Sequence, residues 1–156
     1  MTVPTYFHIG VIVPDLERAA ADFSRVLGLT FTDPAVVHVP WFVDPTPHEH
    51  TVHAVFSEDG PPYYELIQAA GDGIFSAKEA GQILYLGMWE SDMAGRMRTL
   101  QENGIGIDAQ LKASEDAVPF CIITRPDVLG IRLEYVDESA HPGIERWVHT
   151  GKFEGL

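Results

Sequence analysis

Four residues carry the chemistry this chain could do: His8, Glu65, Tyr85 and Glu134. Each interrupts an apolar, strand-like run. One imidazole and two carboxylates, from His8, Glu65 and Glu134, form a partial ligand set for a hard or borderline divalent ion. Such an ion would hold two neighbouring substrate oxygens and stabilise an enediolate or enolate. Glu134 or Glu65 would then shuttle a proton on the adjacent carbon, since a carboxylate in a largely apolar cavity suits a general base near neutral pH. Tyr85 could donate a hydrogen bond to the developing oxyanion. Two other readings stand beside this one. The set could run acid–base chemistry without a metal, or the four side chains could simply satisfy one another in a hydrogen-bonded network. Two unpaired carboxylates on one cavity repel, so any of these needs a cation or a shared proton.

The elements that must position these residues follow from the chain pattern. Phe7-His8-Ile9-Gly10-Val11-Ile12-Val13 reads as a strand. Alternation puts Phe7, Ile9, Val11 and Val13 on one face and His8, Gly10 and Ile12 on the other. Asp15 is placed to N-cap a helix, whose apolar stripe is Leu16, Ala19, Ala20, Phe23, Val26 and Leu27, with Gly28 as its stop. A short strand begins at Leu29-Thr30-Phe31. Val36 to Val39 reads as a strand, and the rest of the proline-rich stretch from Asp33 to His50 as a loop walling a binding site. Thr51 to Ser57 and Tyr63 to Gln68 read as a hairpin around the turn Glu58-Asp59-Gly60-Pro61-Pro62. Ala69 to Gln82 links two halves.

The opening pattern then returns. Tyr85-Leu86-Gly87-Met88-Trp89-Glu90-Ser91-Asp92 lies position for position on His8-Ile9-Gly10-Val11-Ile12-Val13-Pro14-Asp15. Met93, Met97 and Leu100 give a second helical stripe and Gly104 its stop. Val118 to Thr124 and Gly130 to Val136 read as strands around the turn Arg125-Pro126-Asp127. Tyr64-Glu65-Leu66-Ile67 lies on Leu133-Glu134-Tyr135-Val136. The repeat is βαβββ, used twice, with an offset of roughly 70 to 77 residues. Neither unit buries a sheet face alone. The pair predicts an α+β fold: one curved mixed sheet around a central cavity, with helices outside. If the Phe7 and Ile9 face meets the helix, His8 faces the cavity, and so do Glu65, Tyr85 and Glu134. One domain is expected over 1–156, with module one at about 5–70, module two at about 82–137 and a C-terminal extension at 138–156.

Composition narrows the class. The 156 residues are 46% hydrophobic and 21% charged, with a net charge of −13. That acidity argues against nucleic acid and anionic membrane as partners. No apolar run reaches the length of a membrane span, and no signal peptide is apparent before the first strand. Cys121 is the only cysteine, so a cytoplasmic location is the simplest expectation. It sits in the apolar run Phe120-Cys121-Ile122-Ile123 and reads as a buried structural thiol.

These motifs together resemble the vicinal oxygen chelate superfamily, which holds glyoxalase I, bleomycin-resistance proteins and extradiol dioxygenases. The carrying residues are His8-Ile9-Gly10, Val13-Pro14-Asp15, Tyr64-Glu65-Leu66-Ile67, and the run from Pro126-Asp127 through Gly130 to Leu133-Glu134. The first half is most similar to the branch of glyoxalase I and methylmalonyl-CoA epimerase. The resemblance implies a divalent metal (Zn, Ni, Co, Mn or Fe) at four equivalent strand positions: His8, Glu65, Tyr85 and Glu134. The third is normally histidine or another good ligand; tyrosine is the departure. It also implies a homodimer or paired modules.

The expected function is a small-molecule isomerase, epimerase or lyase, with metal-assisted proton transfer beside a carbonyl. The alternatives are a metal-free cyclase or isomerase, a bleomycin-resistance-like binding protein, and a ring-cleaving dioxygenase. The aromatics suggest an apolar or ring-bearing substrate. Weaker expectations place His53, Trp41, Phe42, Tyr63, Trp89 and Arg132 at the substrate. Arg132 could instead pair with Glu134 or Asp137. Trp147 and Phe153 suggest that the extension packs onto the domain or a neighbour.

Overall fold

The computed structural model describes residues 5–156. Two βαβββ units follow one another. The first comprises β1 (Tyr6–Val13), α1 (Leu16–Leu27), β2 (Ala35–Val43), β3 (Pro47–Phe56) and β4 (Tyr63–Gln68). The second comprises β5 (Ile83–Glu90), α2 (Met93–Glu102), β6 (Ile107–Lys112), β7 (Cys121–Thr124) and β8 (Arg132–Asp137). A last helix, α3 (His141–Thr150), follows the repeat. The eight strands close into a barrel in the order β1-β4-β3-β2-β6-β7-β8-β5. β1/β4 and β5/β8 pair in parallel, and the other neighbours antiparallel. The modules join at two seams, β1/β5 and β2/β6. The β2/β6 seam is the shorter, paired only over Trp41–Val43. Among the described residues no helix is long and apolar enough to cross a membrane.

Both helices start as the repeated aspartate predicts. Asp15 accepts from the Arg18 backbone N–H at 2.9 Å, and Asp92 from that of Gly95 at 2.9 Å. Each occupies the N-cap, where the first backbone donors lack partners. Leu16, Ala19, Ala20 and Phe23 pack on Val13, Val55 and Leu66. The predicted stripe runs too far, because Val26 is 67% exposed and Leu27 lies beyond the sheet's reach. Met93, Met97 and Leu100 pack on Met88, Ile122 and Tyr135.

Three expectations change, and one gap is filled. Leu29 to Phe31 is not a strand; only Phe31 forms an isolated bridge, to Ser57. The proline-rich stretch is no loop. It forms the long β2/β3 hairpin, which turns at Asp44 to Thr46. Its prolines stand where a missing N–H is tolerated: Pro40 at a register shift between Val39 and Phe42, Pro47 as the first residue of β3. The doubled βαβββ unit requires a strand after α2 to which the sequence reading assigns no segment; β6 supplies it, with Ile107, Ala109 and Leu111 alternating with polar residues. Finally, Phe7 does not meet the helix. A register shift between Tyr6 and His8 turns it onto Trp89, with ring centroids 3.8 Å apart.

The C-terminal extension packs on its own barrel. Ile144, Trp147 and Val148 of α3 join the main core with Phe56, Ile67 and Ile123. The Trp147 indole N–H donates to the Asp33 carbonyl at 3.2 Å. Burying each such side chain contributes about 1.5–3 kcal/mol.

Candidate active site

The strands β4-β1-β5-β8 lie side by side, and each carries one of the four residues. Register explains how they meet. His8 stands opposite Gly87, and Gly10 opposite Tyr85. Gly10 also pairs with Glu65, and Gly87 with Glu134. A Cβ at Gly87 would overlap the His8 ring, and one at Gly10 would overlap the Tyr85 ring. The repeated glycine is therefore the space into which the other module's aromatic side chain leans. Gly is required here for close approach rather than for backbone freedom.

His8 and Tyr85 are 2% and 1% exposed. His8 Nε2 lies 2.6 Å from Glu134 Oε2 and 3.2 Å from Glu65 Oε2. The three side chains offer ligand atoms that all lie within 4.8 Å of one another. The Tyr85 hydroxyl donates to Glu65 Oε2 at 2.6 Å. The Cys121 thiol donates to Glu134 Oε1 at 3.0 Å. Each carboxylate is thus held by one neutral donor. Glu134 Oε2, though close to His8, meets it outside hydrogen-bond geometry and is a buried oxygen without a donor. His8 Nδ1 is also buried without a partner, at a cost of about 1–3 kcal/mol.

The electrostatics follow. Burial pushes the His8 imidazole down, but the Glu134 and Glu65 carboxylates outweigh it and lift it to about 9. Burial, then the carboxylates of Glu134 and Glu65, hold the Tyr85 phenol well above its ordinary value. Burial and the adjacent Glu134 do the same to the Cys121 thiol. Both therefore remain protonated donors. A divalent cation fits this set on two grounds. Nε2 and two carboxylate oxygens converge, and one of those oxygens is an orphan that a cation would satisfy.

The four side chains form one end of a half-open cavity of about 90 Å³. The rest of its wall is apolar, and includes Phe56, Phe75, Phe120, Ile144, Trp147 and Phe153.

The structure puts the weaker candidates elsewhere. His53 is exposed and borders a groove between α1 and β3, because Val52 and Ala54 take the inward positions. Arg132 is the first residue of β8, at the barrel end. Its guanidinium pairs with Asp108 at 3.2 Å and Glu79 at 3.6 Å, not with Glu134 or Asp137. Trp89 stacks on Phe7 and packs against His141 at 4.6 Å. Phe42 is buried and stacks on Phe75, which itself lines the cavity, and Trp41 is half-buried next to it in β2. The Tyr63 hydroxyl donates to Glu145 at 3.4 Å and so ties β4 to α3. None of these six lines the cavity. Sequence reading missed Cys121 as a partner of Glu134. The β7/β8 hairpin is legible along the chain, but its register, with Cys121 opposite Val136 and Ile123 opposite Glu134, is not.

A family model of the glyoxalase/bleomycin resistance protein/dioxygenase superfamily matches residues 7–122. The chain belongs to that superfamily. No curated protein sequence matches it. Among solved structures it is similar to a methylmalonyl-CoA epimerase in complex with methylmalonyl-CoA and ammonium, at 14% identity and a TM-score of 0.60, over 87% of this chain and 95% of that one. A methylmalonyl-CoA epimerase from Mycobacterium tuberculosis matches at 16% identity and 0.58, over 87% and 92%. A mutant 4-hydroxymandelate synthase from Streptomyces coelicolor matches at 14% and 0.55, over 86% of this chain and 48% of that one. At these identities the likeness shows the fold.

Proposed function

We propose that this protein is an isomerase, epimerase or lyase that moves a proton on the carbon next to a carbonyl of a small molecule. His8, Glu65 and Glu134 would hold a divalent metal for it. The observation that carries the reading is the convergence of three ligand atoms within 4.8 Å at the closed end of an apolar cavity. The epimerase structures it resembles support the reaction class. When bound, the ion would polarise a substrate oxygen as a Lewis acid. The chain's own residues do the rest. Glu134 or Glu65 is the general base, through a carboxylate oxygen that the ion leaves free. Tyr85 holds Glu65 in place through its hydroxyl and keeps a polar hydrogen at the site. The apolar wall excludes water and keeps the enolate from random protonation.

A second reading has its own observation. The Glu134 and Glu65 carboxylates raise His8 to about 9, so an imidazolium already balances part of their charge. In this form the set would work without metal, with His8 as the acid and Glu134 as the base.

Elemental analysis before and after chelation separates the two. Stoichiometric Zn, Ni, Co, Mn or Fe, lost together with stability, supports the metal form. A negative result on protein offered these metals during expression moves the reading to the metal-free form. Solvent deuterium wash-in at the α-carbon of small 2-hydroxyketones, followed by NMR, tests the enzyme itself. Glu134→Gln should slow exchange about 100-fold or more. Exchange that is indifferent to Glu134 sinks the enzyme reading and leaves a small-molecule binding protein.

A further inference from the structure

We infer that the site takes a carbonyl head joined to an apolar alkyl or aryl tail. The head sits at His8, Glu65 and Glu134, and the tail leaves between β2 and the C-terminal extension. This deepens the proton-transfer reading and rests on it only for the carbonyl. Three observations carry it.

The first is where the polar groups stand. Those of the cavity are His8, Glu65, Tyr85, Cys121 and Glu134. They form one cluster, with Tyr85 bonded to Glu65 at 2.6 Å and Cys121 to Glu134 at 3.0 Å. Every other lining residue is hydrophobic. The indole N–H of Trp147, the one donor among them, is already given to the Asp33 carbonyl at 3.2 Å. A hydroxyl, ether or amide part-way along the substrate would lose its water and meet no side-chain partner. An alkyl or aryl segment gains from the same burial.

The second is continuity. A wider depression shares Val37, Phe120, Ala140, Phe153 and Leu156 with the cavity. None of the five polar residues borders that depression. A molecule whose head reaches the polar cluster therefore has its other end at this mouth.

The third is the mouth itself. Val36 and Leu156 line it and are 58% and 55% exposed. Single exposed apolar residues are ordinary, but two at the rim of an apolar cavity carry its wall out to the surface. The polar residues of the mouth are His38, Asp137 and Ser139. His38 and Ser139 are exposed, and Asp137 accepts from the Ser139 backbone N–H at 2.9 Å. A tail that reaches them has already crossed the apolar wall.

The test titrates butanone, hexan-2-one, octan-2-one and 4-methoxybutan-2-one into the protein as purified, and reads affinity from the midpoint of thermal unfolding. The methoxy ketone matches hexan-2-one in size and carries an ether oxygen in place of one methylene. Affinity should rise about two- to fourfold per methylene along the plain series. The methoxy ketone should bind at least about threefold more weakly than hexan-2-one. Val36→Asp changes an exposed residue that lines the mouth alone. It should weaken octan-2-one about fivefold or more and leave butanone unchanged. Val26→Asp, on the exposed side of α1, should change neither. An affinity that does not rise with chain length overturns the inference, and so does equal binding of the ether and hexan-2-one. A Val36→Asp protein that treats butanone and octan-2-one alike, or a loss that Val26→Asp reproduces, overturns it as well. Binding is measured without turnover, so this result and the deuterium-exchange result fail separately.

Discussion

Stripped of metal, the protein should lose stability as the pH rises from 6.5 to 9, and His8 should be the cause. Glu134 and Glu65 raise its folded-state pKa from 6.5 to about 9. A raised pKa means that the folded state binds the proton more tightly than the unfolded chain. The contribution is therefore complete below pH 6.5 and lost as the pH climbs through 9. A shift of this size corresponds to about 3 kcal/mol, falling by about 1.4 kcal/mol per pH unit in between. His8 is fully buried, so solvent screening removes little of it. The assay is urea denaturation of chelator-treated protein from pH 6 to 9.5. Glu134 is the largest of the raising contributions, so Glu134→Gln should shrink the slope, and His8→Gln should abolish it. A stability that stays flat across this window in the wild type would refute the reasoning. Added divalent metal should invert the dependence, because a ligating imidazole must be neutral and metal binding releases its proton.

Three further outcomes follow from the geometry. Tyr85→Phe removes the donor to Glu65 and should destabilise the metal-free protein by about 1.5–3 kcal/mol, read by urea denaturation. It should also weaken metal binding about 10- to 100-fold in a competition titration; unchanged affinity would show that the phenol does not position the carboxylate. Gly87→Ala forces a methyl into the His8 ring and should cost about 1–3 kcal/mol, read by urea denaturation. Phe153→Ala strips an aromatic ring from the wall that the cavity shares with its mouth and should cost about 1–3 kcal/mol, read by urea denaturation.

The chain itself encoded more of the site than of the barrel. The matched segments around Gly10 and Gly87 located His8 and Tyr85, and the matched Glu65 and Glu134 strands completed the set. Strand alternation and an internal repeat are local signals, so they survive in one dimension. Arg132 and Trp89 lie outside the cavity for one reason. Whether Arg132 meets Glu134 or Glu79, and whether Trp89 meets a ligand or Phe7, depends on which strands become neighbours and on one-residue register shifts. The same holds for the proline-rich stretch. Its breakers argued for a loop, and pairing with β3 and β6 overrode them at the one shift where Pro40 fits.

What the sequence determined by itself was a doubled βαβββ unit whose histidine, tyrosine and two glutamates share one face. Periodicity and capping residues suffice for that. Only the tertiary structure decided that the sheet closes, that each motif glycine makes room for the other module's aromatic side chain, and that Cys121 and Tyr85 each hold one carboxylate. It also decided that the C-terminal extension walls the cavity. These are contacts between residues far apart in the chain, and they exist only once the β1/β5 and β2/β6 seams are formed.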